Sequence, residues 1–323
     1  MDTLFLVVPC YNEDAVLLDA SSKLLGKIVY LIEKKQIHGD SKILFVNDGS
    51  KDNTWGLIMG LHYENPVFCG INLLHNSGHQ NAIIAGLMVA KDFADVVISI
   101  DADLQDDIDA IDKFLNEYHR GSEIVYGVRS SRESDQYFKR TSAHFFYKMM
   151  RFLGVDLIYN HADFRLMSKK ALDRLSTFKE VNLFLRGILP LLGCKYSVVE
   201  YERRERFAGR SKFPLNKMIS FAWDGITSFS IKPIRIVSAL GFLLFLLSLI
   251  ALIYTIISKI SGNTVTGWTS LIISVWIIGS IQLLSIGIVG EYIGKIYKET
   301  KQRPRYFISQ VLLNDREESK NYI

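Results

Sequence analysis

Residues 96–107 read Val96-Val97-Ile98-Ser99-Ile100-Asp101-Ala102-Asp103-Leu104-Gln105-Asp106-Asp107, an apolar run followed at once by acidic side chains. The run at 96–100 has the length and β-branched composition of a buried strand. Alternate positions of an extended chain point the same way, so we expect Asp101, Asp103 and Gln105 to converge on one point. Oxygen ligands of this kind suit Mg²⁺ or Mn²⁺, which keep water molecules and bridge substrate phosphates.

The same pattern of strand and polar segment recurs through the first half of the chain. Strands are predicted at residues 4–8, 42–46, 67–73, 96–100 and 123–126. Amphipathic helices are predicted between them, at residues 15–35, 53–63, 80–91 and 108–119. This alternation indicates an α/β fold with a mostly parallel sheet covered by helices. In such sheets ligands bind beyond the carboxyl ends of the strands.

Polar signatures follow three other predicted strands. Asp48 lies in Asn47-Asp48-Gly49-Ser50 after the second, Asn76-Ser77-Gly78-His79 follows the third, and Arg129 ends Gly127-Val128-Arg129 after the fifth. Each segment alone could be turn chemistry. Their succession after consecutive strands predicts a site, with Arg129 as its fixed cation. Asp106 and Asp107 are better interpreted as acidic residues at a helix start.

Composition narrows the class of partner. The net charge is +4 and no long Lys/Arg run occurs, which argues against nucleic acid and favours a face near anionic lipid. The three cysteines are scattered without metal-binding spacing, so reduced thiols in a cytosolic compartment are expected. Residues 4–8 are too short for the apolar region of a signal peptide.

Two uncharged hydrophobic stretches, residues 236–258 and 260–290, lie in the C-terminal part of the chain. Each is long enough to cross a bilayer, which takes roughly 20 residues at ~1.5 Å rise per residue. Basic residues flank the pair, and the loop between them holds only Lys259. This bias predicts that both ends are cytoplasmic. Residues 214–231 carry an apolar stripe; a soluble core helix would look similar, but an interfacial helix is preferred beside a span.

These observations predict six segments. A catalytic domain at residues 1–212 is followed by an amphipathic juxtamembrane helix at 213–233 and a transmembrane helix at 234–258. An external loop at 259–267, a second transmembrane helix at 268–292 and a cytoplasmic tail at 293–323 complete the chain. Glycines in the second span permit close helix packing, so a homo-oligomer is one expectation.

Five motifs occur in this order along the chain: Val8-Pro9-Cys10-Tyr11-Asn12-Glu13, Asn47-Asp48-Gly49-Ser50-Lys51-Asp52-Asn53-Thr54, Asp101-Ala102-Asp103-Leu104-Gln105-Asp106, Tyr126-Gly127-Val128-Arg129 and Ala162-Asp163-Phe164-Arg165-Leu166. Together they resemble the signatures of family 2 glycosyltransferases, and in particular polyprenyl-phosphate glycosyltransferases of the dolichol-phosphate mannose synthase and bactoprenol glucosyltransferase (GtrB) type. Phe207-Ala208-Gly209-Arg210-Ser211-Lys212 and the two spans fit the bactoprenol branch. The resemblance implies a GT-A fold, a Rossmann-like, mostly parallel sheet.

The resemblance also implies roles for individual residues. Positions that hold the nucleotide sugar are matched by Pro9, Tyr11, Glu13, Asp48 and Asp101. The metal and diphosphate site is matched by Asp101, Asp103 and Gln105, with Asp101, Asp103 and Arg129 as the catalytic set. Positions that receive the lipid phosphate are matched by Arg129, Arg140, Arg210, Ser211 and Lys212. Asp163 is left open between structure and sugar binding. His75 and Ser77 replace the Arg and Phe of a common signature, which leaves the preferred donor open.

The implied reaction is an inverting transfer of a hexose from a nucleotide sugar to undecaprenyl phosphate, with UDP-glucose first among the donors. The implied location is the cytoplasmic face of a bacterial inner membrane, in a multi-pass protein that uses Mg²⁺ or Mn²⁺ and provides lipid-linked sugar for cell-envelope glycans. UDP-N-acetylglucosamine, UDP-galactose and GDP-mannose are alternative donors. A different class of function is a non-catalytic membrane scaffold that binds lipid phosphate; intact Asp48, Asp101, Asp103 and Arg129 argue against it.

Overall fold

A computed structural model describes residues 1–129, 161–181, 185–202, 226–227, 230–260 and 267–313. The chain divides into two compact units, one containing the strands and the shorter helices and the other containing two long helices. The strands are β1 (Leu4–Cys10), β2 (Lys42–Asn47), β3 (Phe68–Leu73), β4 (Val96–Ser99), β5 (Ile124–Arg129), β6 (His161–Ser168), β7 (Tyr196–Tyr201) and β8 (Ile308–Leu312). The helices are α1 (Asp14–Glu33), α2 (Thr54–Glu64), α3 (His79–Ala90), α4 (Ala110–His119), α5 (Lys169–Ser176), α6 (Leu185–Ile188), α7 (Lys232–Ile260) and α8 (Trp268–Lys301).

The eight strands form one sheet in the order β7-β5-β6-β4-β1-β2-β3-β8. β1 pairs in parallel with β2 and β4, β2 with β3, and β5 with β7. β6 runs antiparallel between β4 and β5, and β8 runs antiparallel beside β3. The predicted mostly parallel GT-A sheet is therefore confirmed, and the five predicted strands correspond to β1–β5.

Burial on both faces explains why the first strands are almost continuously apolar. Every residue of β1 and β4 is buried, as expected for parallel strands that helices cover on both sides. Helix α1 contributes Leu17, Leu24, Ile28 and Leu31, which recur at helical spacing and are fully buried. The core therefore lies directly beneath the polar segments that follow the strands.

β8 is a strand that the sequence analysis placed in a tail after the membrane segments. Its register sets Ile71 opposite Val311 and Leu73 opposite Ile308. This pairing covers what would otherwise be the exposed edge of β3, and an uncovered edge is a site of aggregation. Part of the predicted tail at 293–323 therefore belongs to the catalytic sheet, and α8 extends to Lys301, beyond the predicted span.

Helices α7 and α8 carry many exposed apolar side chains. α7 is 29 residues long, and its described side chains include exposed Leu243, Leu247 and Ile250. Within the described residues, one segment, Ile277–Lys301 in α8, is long and apolar enough to cross a membrane by length and composition. The arrangement with two spans stays a prediction.

Candidate active site

The polar segments of the sheet meet at one edge, as predicted. Asp48 follows β2, His79 begins α3 after β3, Asp101 follows β4, and Arg129 ends β5. β1–β4 are mutually parallel, and two successive antiparallel pairings through β6 give β5 the direction of β4. All four segments therefore lie at the carboxyl ends of strands that run the same way.

The acidic segment after β4 is a turn and not the extended chain that the sequence analysis assumed. β4 ends at Ser99, the amide of Leu104 donates to the carbonyl of Asp101 at 3.2 Å, and Leu104 has a left-handed φ of 43°. Alternation along a strand therefore does not bring Asp101 and Asp103 together, and the extended conformation predicted for residues 101–105 is wrong. The turn folds the segment back instead, and the amide of Gln105 donates to Asp103 Oδ1 at 3.2 Å.

Asp101 belongs to a cluster of charges that the sequence analysis did not assemble. His79 Nε2 lies 3.6 Å from Asp101 Oδ1 and 3.6 Å from Asp163 Oδ2. Arg186, on α6, approaches Asp163 with Nη2 at 3.3 Å and Nε at 3.4 Å. Arg165 donates to the same carboxylate from two residues further along β6. Asp163 is thus held by one histidine and two arginines.

Burial and neighbouring charges shift the pKa values of the two aspartates in this cluster in opposite directions. Burial, together with the charges of Asp163, Asp106 and Asp103, raises the pKa of Asp101 to about 6, while His79 opposes the shift. Burial also favours the neutral form of Asp163, but Arg186, His79 and Arg165 outweigh it and hold the pKa of Asp163 well below its usual range. Asp163 is therefore the anion that two arginines and a histidine match, whereas the raised pKa of Asp101 comes first from its burial.

Arg165 is the most unusual member of the cluster. Its side chain is fully buried, and its Nε and Nη1 have no hydrogen-bond partner among the described residues. Burial lowers the pKa of this guanidinium, and the charge of Asp163 offsets part of that effect. Burial of an unpaired charge costs free energy, and the ion pair with Asp163 offsets this cost for Arg165.

Arg129 is likewise held by a neighbour. Its Nη2 lies 3.2 Å from Asp106 Oδ1, and Tyr201 donates its hydroxyl to the same oxygen at 2.6 Å. Asp106 is buried, and α4 begins only at Ala110, so Asp106 is a partner of Arg129 and not a carboxylate at a helix start. Arg129 ends β5 and does not follow it. Position 127 lies inside the strand and requires glycine, because a Cβ there would come within 2.7 Å of the Phe164 carbonyl oxygen.

The predicted nucleotide-sugar residues surround the ends of β1 and β2. Pro9 is buried in β1 opposite Val46, while Tyr11 beyond the strand is 37% exposed. The carbonyl of Glu13 accepts from the first amides of α1, and its own amide donates to Thr54 Oγ1 at 3.0 Å. Tyr11 is therefore accessible at this edge of the sheet, whereas Pro9 and the carboxylate of Asp48 are buried.

Asp48 ties two loops together. Its carboxylate accepts the backbone amides of Ser77 at 2.7 Å and Gly78 at 3.0 Å, and the residue is buried. Gly49, with a φ of +61°, lies so close to the second loop that a Cβ would come within 2.5 Å of the His75 carbonyl carbon. Asp48 therefore fixes the loop at residues 75–78 against the segment that follows β2.

The remaining predicted site residues, Arg140, Arg210, Ser211 and Lys212, lie outside the described residues. The predicted juxtamembrane helix at 213–233 falls mostly outside them as well. Arg186 and Tyr201 were not predicted as contributors to the site. Arg165 was quoted only as part of a motif, whereas His79 belongs to the predicted polar segment after β3. The two charged residues Asp163 and Arg165 within β6 were the signal in the sequence that could have found the cluster.

The carboxylates of the turn suit a divalent cation. Asp101 and the partly exposed Asp103 lie in the same turn, and the charge of Asp103 contributes to the raised pKa of Asp101. The part of the chain that the structure describes contains no cluster of three His, Cys, Asp or Glu side chains able to hold a metal. Two carboxylates fit Mg²⁺ or Mn²⁺, because such ions complete their coordination with water and substrate phosphates. Gln105 is buried, which makes it the weakest of the three predicted ligands.

Comparison with known proteins identifies the family. Residues 5–176 match the model of glycosyl transferase family 2, and residues 232–296 match the GtrB C-terminal hairpin. A Bacillus subtilis protein described as an uncharacterized glycosyltransferase, YkoT, is 55% identical over 97% of this chain and 93% of its own length. The bactoprenol glucosyl transferase of Shigella phage SfX is 39% identical over 94% of this chain and 97% of its own.

Among solved structures, glucosyl-3-phosphoglycerate synthase from Mycobacterium tuberculosis is similar with a TM-score of 0.44 and 15% identity, covering 71% of this chain and 79% of that one. The family match spans β1 to the end of α5, and so includes the strand ends that carry Asp48, Asp101, Arg129 and Asp163. The chain belongs to glycosyltransferase family 2.

Proposed function

We propose that this glycosyltransferase transfers a hexose, with inversion, from a nucleotide sugar to undecaprenyl phosphate at the cytoplasmic face of a bacterial inner membrane. UDP-glucose is the proposed donor, and the product is a lipid-linked sugar for the modification of cell-envelope glycans. The observation that carries the proposal is the acidic turn at the strand ends, in a chain whose C-terminal part contains the long apolar helices α7 and α8.

The curated relatives support the acceptor and the sugar. The phage SfX protein is named for glucosyl transfer to bactoprenol, and it aligns with this chain from the catalytic sheet through the C-terminal helices. The match to a GtrB C-terminal hairpin at residues 232–296 covers α7 and most of α8. The two helices are proposed to cross the membrane as a hairpin, with both ends cytoplasmic.

The chemistry requires charge more than proton transfer. A phosphate monoester carries ~1.5–2 negative charges near neutral pH, so the lipid phosphate is already a deprotonated nucleophile. A general base is therefore not required for its attack on C1 of the sugar. A bound Mg²⁺ or Mn²⁺ would neutralise the departing nucleoside diphosphate. Asp101 and Asp103 are the residues proposed to hold it.

The lipid phosphate needs cations on the opposite side of the sugar. Arg129, Arg140, Arg210, Ser211 and Lys212 are proposed for this role, because a guanidinium grips phosphate oxygens in bidentate fashion. Asp106 and Tyr201 hold Arg129 at the end of β5, so its direction is fixed before a ligand arrives. Prior positioning of this kind lowers the entropic cost of reaching the reactive geometry.

The test is a transfer assay with the full-length protein in membranes that contain undecaprenyl phosphate. Radiolabelled UDP-glucose, UDP-N-acetylglucosamine, UDP-galactose and GDP-mannose are supplied separately, and organic-soluble product is counted. We expect product from UDP-glucose above all others. Product from a different donor corrects the sugar. Absence of product from every donor, with lipid phosphate still bound, supports the non-catalytic scaffold and contradicts the proposal.

Alanine substitution at Arg129 or Arg210 is expected to lower transfer by about 10²-fold, while the dissociation constant of UDP changes little. The reason is that both residues are assigned to the acceptor phosphate. Calorimetric titration of UDP and the transfer assay measure the two effects. Arg120→Ala, at a highly exposed arginine on the surface, is the matched control and should behave like the unaltered protein. An equal loss of UDP binding would move the two arginines to the donor side.

A further inference from the structure

Strand β8 and the residue before it contact the chain directly before the loop at residues 75–78, which is part of the proposed nucleotide site. The amide of Leu74, just after β3, donates to the carbonyl of Phe307 at 2.9 Å. Ser309 donates its hydroxyl to the carbonyl of Asn72 at 3.0 Å. The antiparallel register of β3 with β8 shifts between Asn72 and Leu73. β8 and the residue before it therefore stay hydrogen-bonded to β3 and to Leu74, directly before the loop at residues 75–78.

Phe307 extends that contact to a side chain of the loop. Its ring centroid lies 6.3 Å from that of His75, with the planes inclined at 49°. The separation falls within the range of ~4.5–7 Å over which aromatic pairs attract. Phe307 is 42% exposed, so its burial in the core does not account for its position. The contact of its ring with His75 is the side-chain contact that links Phe307 to the loop.

The loop is also fixed by β2. Asp48 accepts the amides of Ser77 and Gly78, and Gly49 lies against the backbone of His75. The side chain of Asn47 donates to the side chain of Asn72 at 2.7 Å, which ties the ends of β2 and β3 together. The loop is therefore clamped between a segment proposed to serve the nucleotide and a strand more than 200 residues further along the chain.

We propose that Phe307, the residue directly before β8, is a positioning residue of the nucleotide site that sets the loop at 75–78 through His75, while β8 anchors Phe307 beside that loop. The inference rests on the proposed function in taking this loop as part of the donor site. It adds that the chain which follows α8 is required for donor affinity. Phe307 is a positioning residue and is not assigned any contact with the reacting atoms.

The test measures donor affinity separately from turnover in the full-length protein. UDP and GDP are titrated by calorimetry, and the nucleotide that the unaltered protein binds more tightly is used thereafter. Phe307→Ala should weaken its binding about three- to tenfold, the range that corresponds to loss of one aromatic pair. In the transfer assay, KM for the nucleotide sugar should rise by a similar factor while kcat stays within about twofold, since a uniform loss of binding changes KM alone.

Three further variants separate positioning from general stability. Phe307→Tyr keeps the ring and should bind the nucleotide normally. Val311→Ala, at a buried residue of β8 opposite Ile71, should lower the melting temperature without weakening nucleotide binding. His75→Ala should reproduce the loss, and the double variant with Phe307→Ala should add little to it, because the two residues act as one unit.

Several outcomes would overturn the inference. They are unchanged nucleotide affinity in Phe307→Ala, an equal loss in Val311→Ala, additive losses in the double variant, or no binding of either nucleotide by the unaltered protein. The same experiments distinguish failure of the proposed function from failure of this inference. A protein that binds nucleotide but glycosylates no lipid phosphate contradicts the reaction, while the comparison of Phe307→Ala with Val311→Ala still decides the role of Phe307.

Discussion

Asp103→Asn is expected to reduce transfer by about a hundredfold or more while leaving expression and membrane insertion unchanged. Asp103 lies in the turn after β4, and Asn keeps the shape of the side chain but removes the charge that a divalent cation needs. The turn itself should persist, because an Asn oxygen can still accept the amide of Gln105. Initial rates in the transfer assay and the affinity for Mn²⁺, followed by its paramagnetic resonance signal, measure the effect.

The matched control is Asp107→Asn, which makes the same chemical change four residues further along. Asp107 accepts the amide of Asp109 at 3.4 Å and has no assigned role in metal binding. Its transfer rate and Mn²⁺ affinity should stay within about twofold of the unaltered protein, as for an ordinary surface substitution. Full activity of the unaltered protein in excess chelator, or of Asp103→Asn with normal Mn²⁺ binding, would contradict the metal assignment.

The strands that could be predicted were those whose partners and burial repeat a simple pattern. β1–β4 are apolar because helices cover both faces, and polar turn residues mark their ends. β6 contains Asp163 and Arg165 among apolar residues, which obscures any regular alternation. β8 has five residues and is defined by its pairing with a strand far away in sequence. Local patterns carry no information about such a partner.

The candidate site likewise has a part that the sequence predicts, the residues at the strand ends, and a part that it does not, the partners of those residues. The rule that ligands bind at strand ends placed Asp48, Asp101 and Arg129 at one edge, because it needs only the direction of each strand. The partners of those residues depend on tertiary contacts. Insertion of β6 between β4 and β5 brings Asp163 to His79, and the end of β7 brings Tyr201 to Asp106. The turn at 101–104 depends on one backbone bond that the residue types alone do not specify.

Asp163→Asn is expected to destabilise the folded protein by about 3–5 kcal/mol, the cost of leaving a buried charge without its counterion. Arg165 is fully buried beside Asp163, and two of its guanidinium nitrogens already lack partners among the described residues. Asn keeps the volume of Asp, so cavity formation does not contribute. Melting temperature, and the midpoint of denaturant unfolding in detergent, measure the loss.

The double variant Asp163→Asn with Arg165→Met decides between a structural role and a role in sugar binding. Met replaces the buried guanidinium with an apolar chain of similar length, so the double variant should regain much of the stability that Asp163→Asn loses. Asp173→Asn is the matched control, because that carboxylate is exposed and its ion pair with Lys91 should contribute less than about 1 kcal/mol.

If Asp163→Asn melts like the unaltered protein but raises KM for the nucleotide sugar, Asp163 serves the sugar and not Arg165. If stability falls and returns in the double variant, the carboxylate is retained to neutralise the arginine. In that case Asp101 and Asp103 are left as the acidic residues of the edge that serve the ligand.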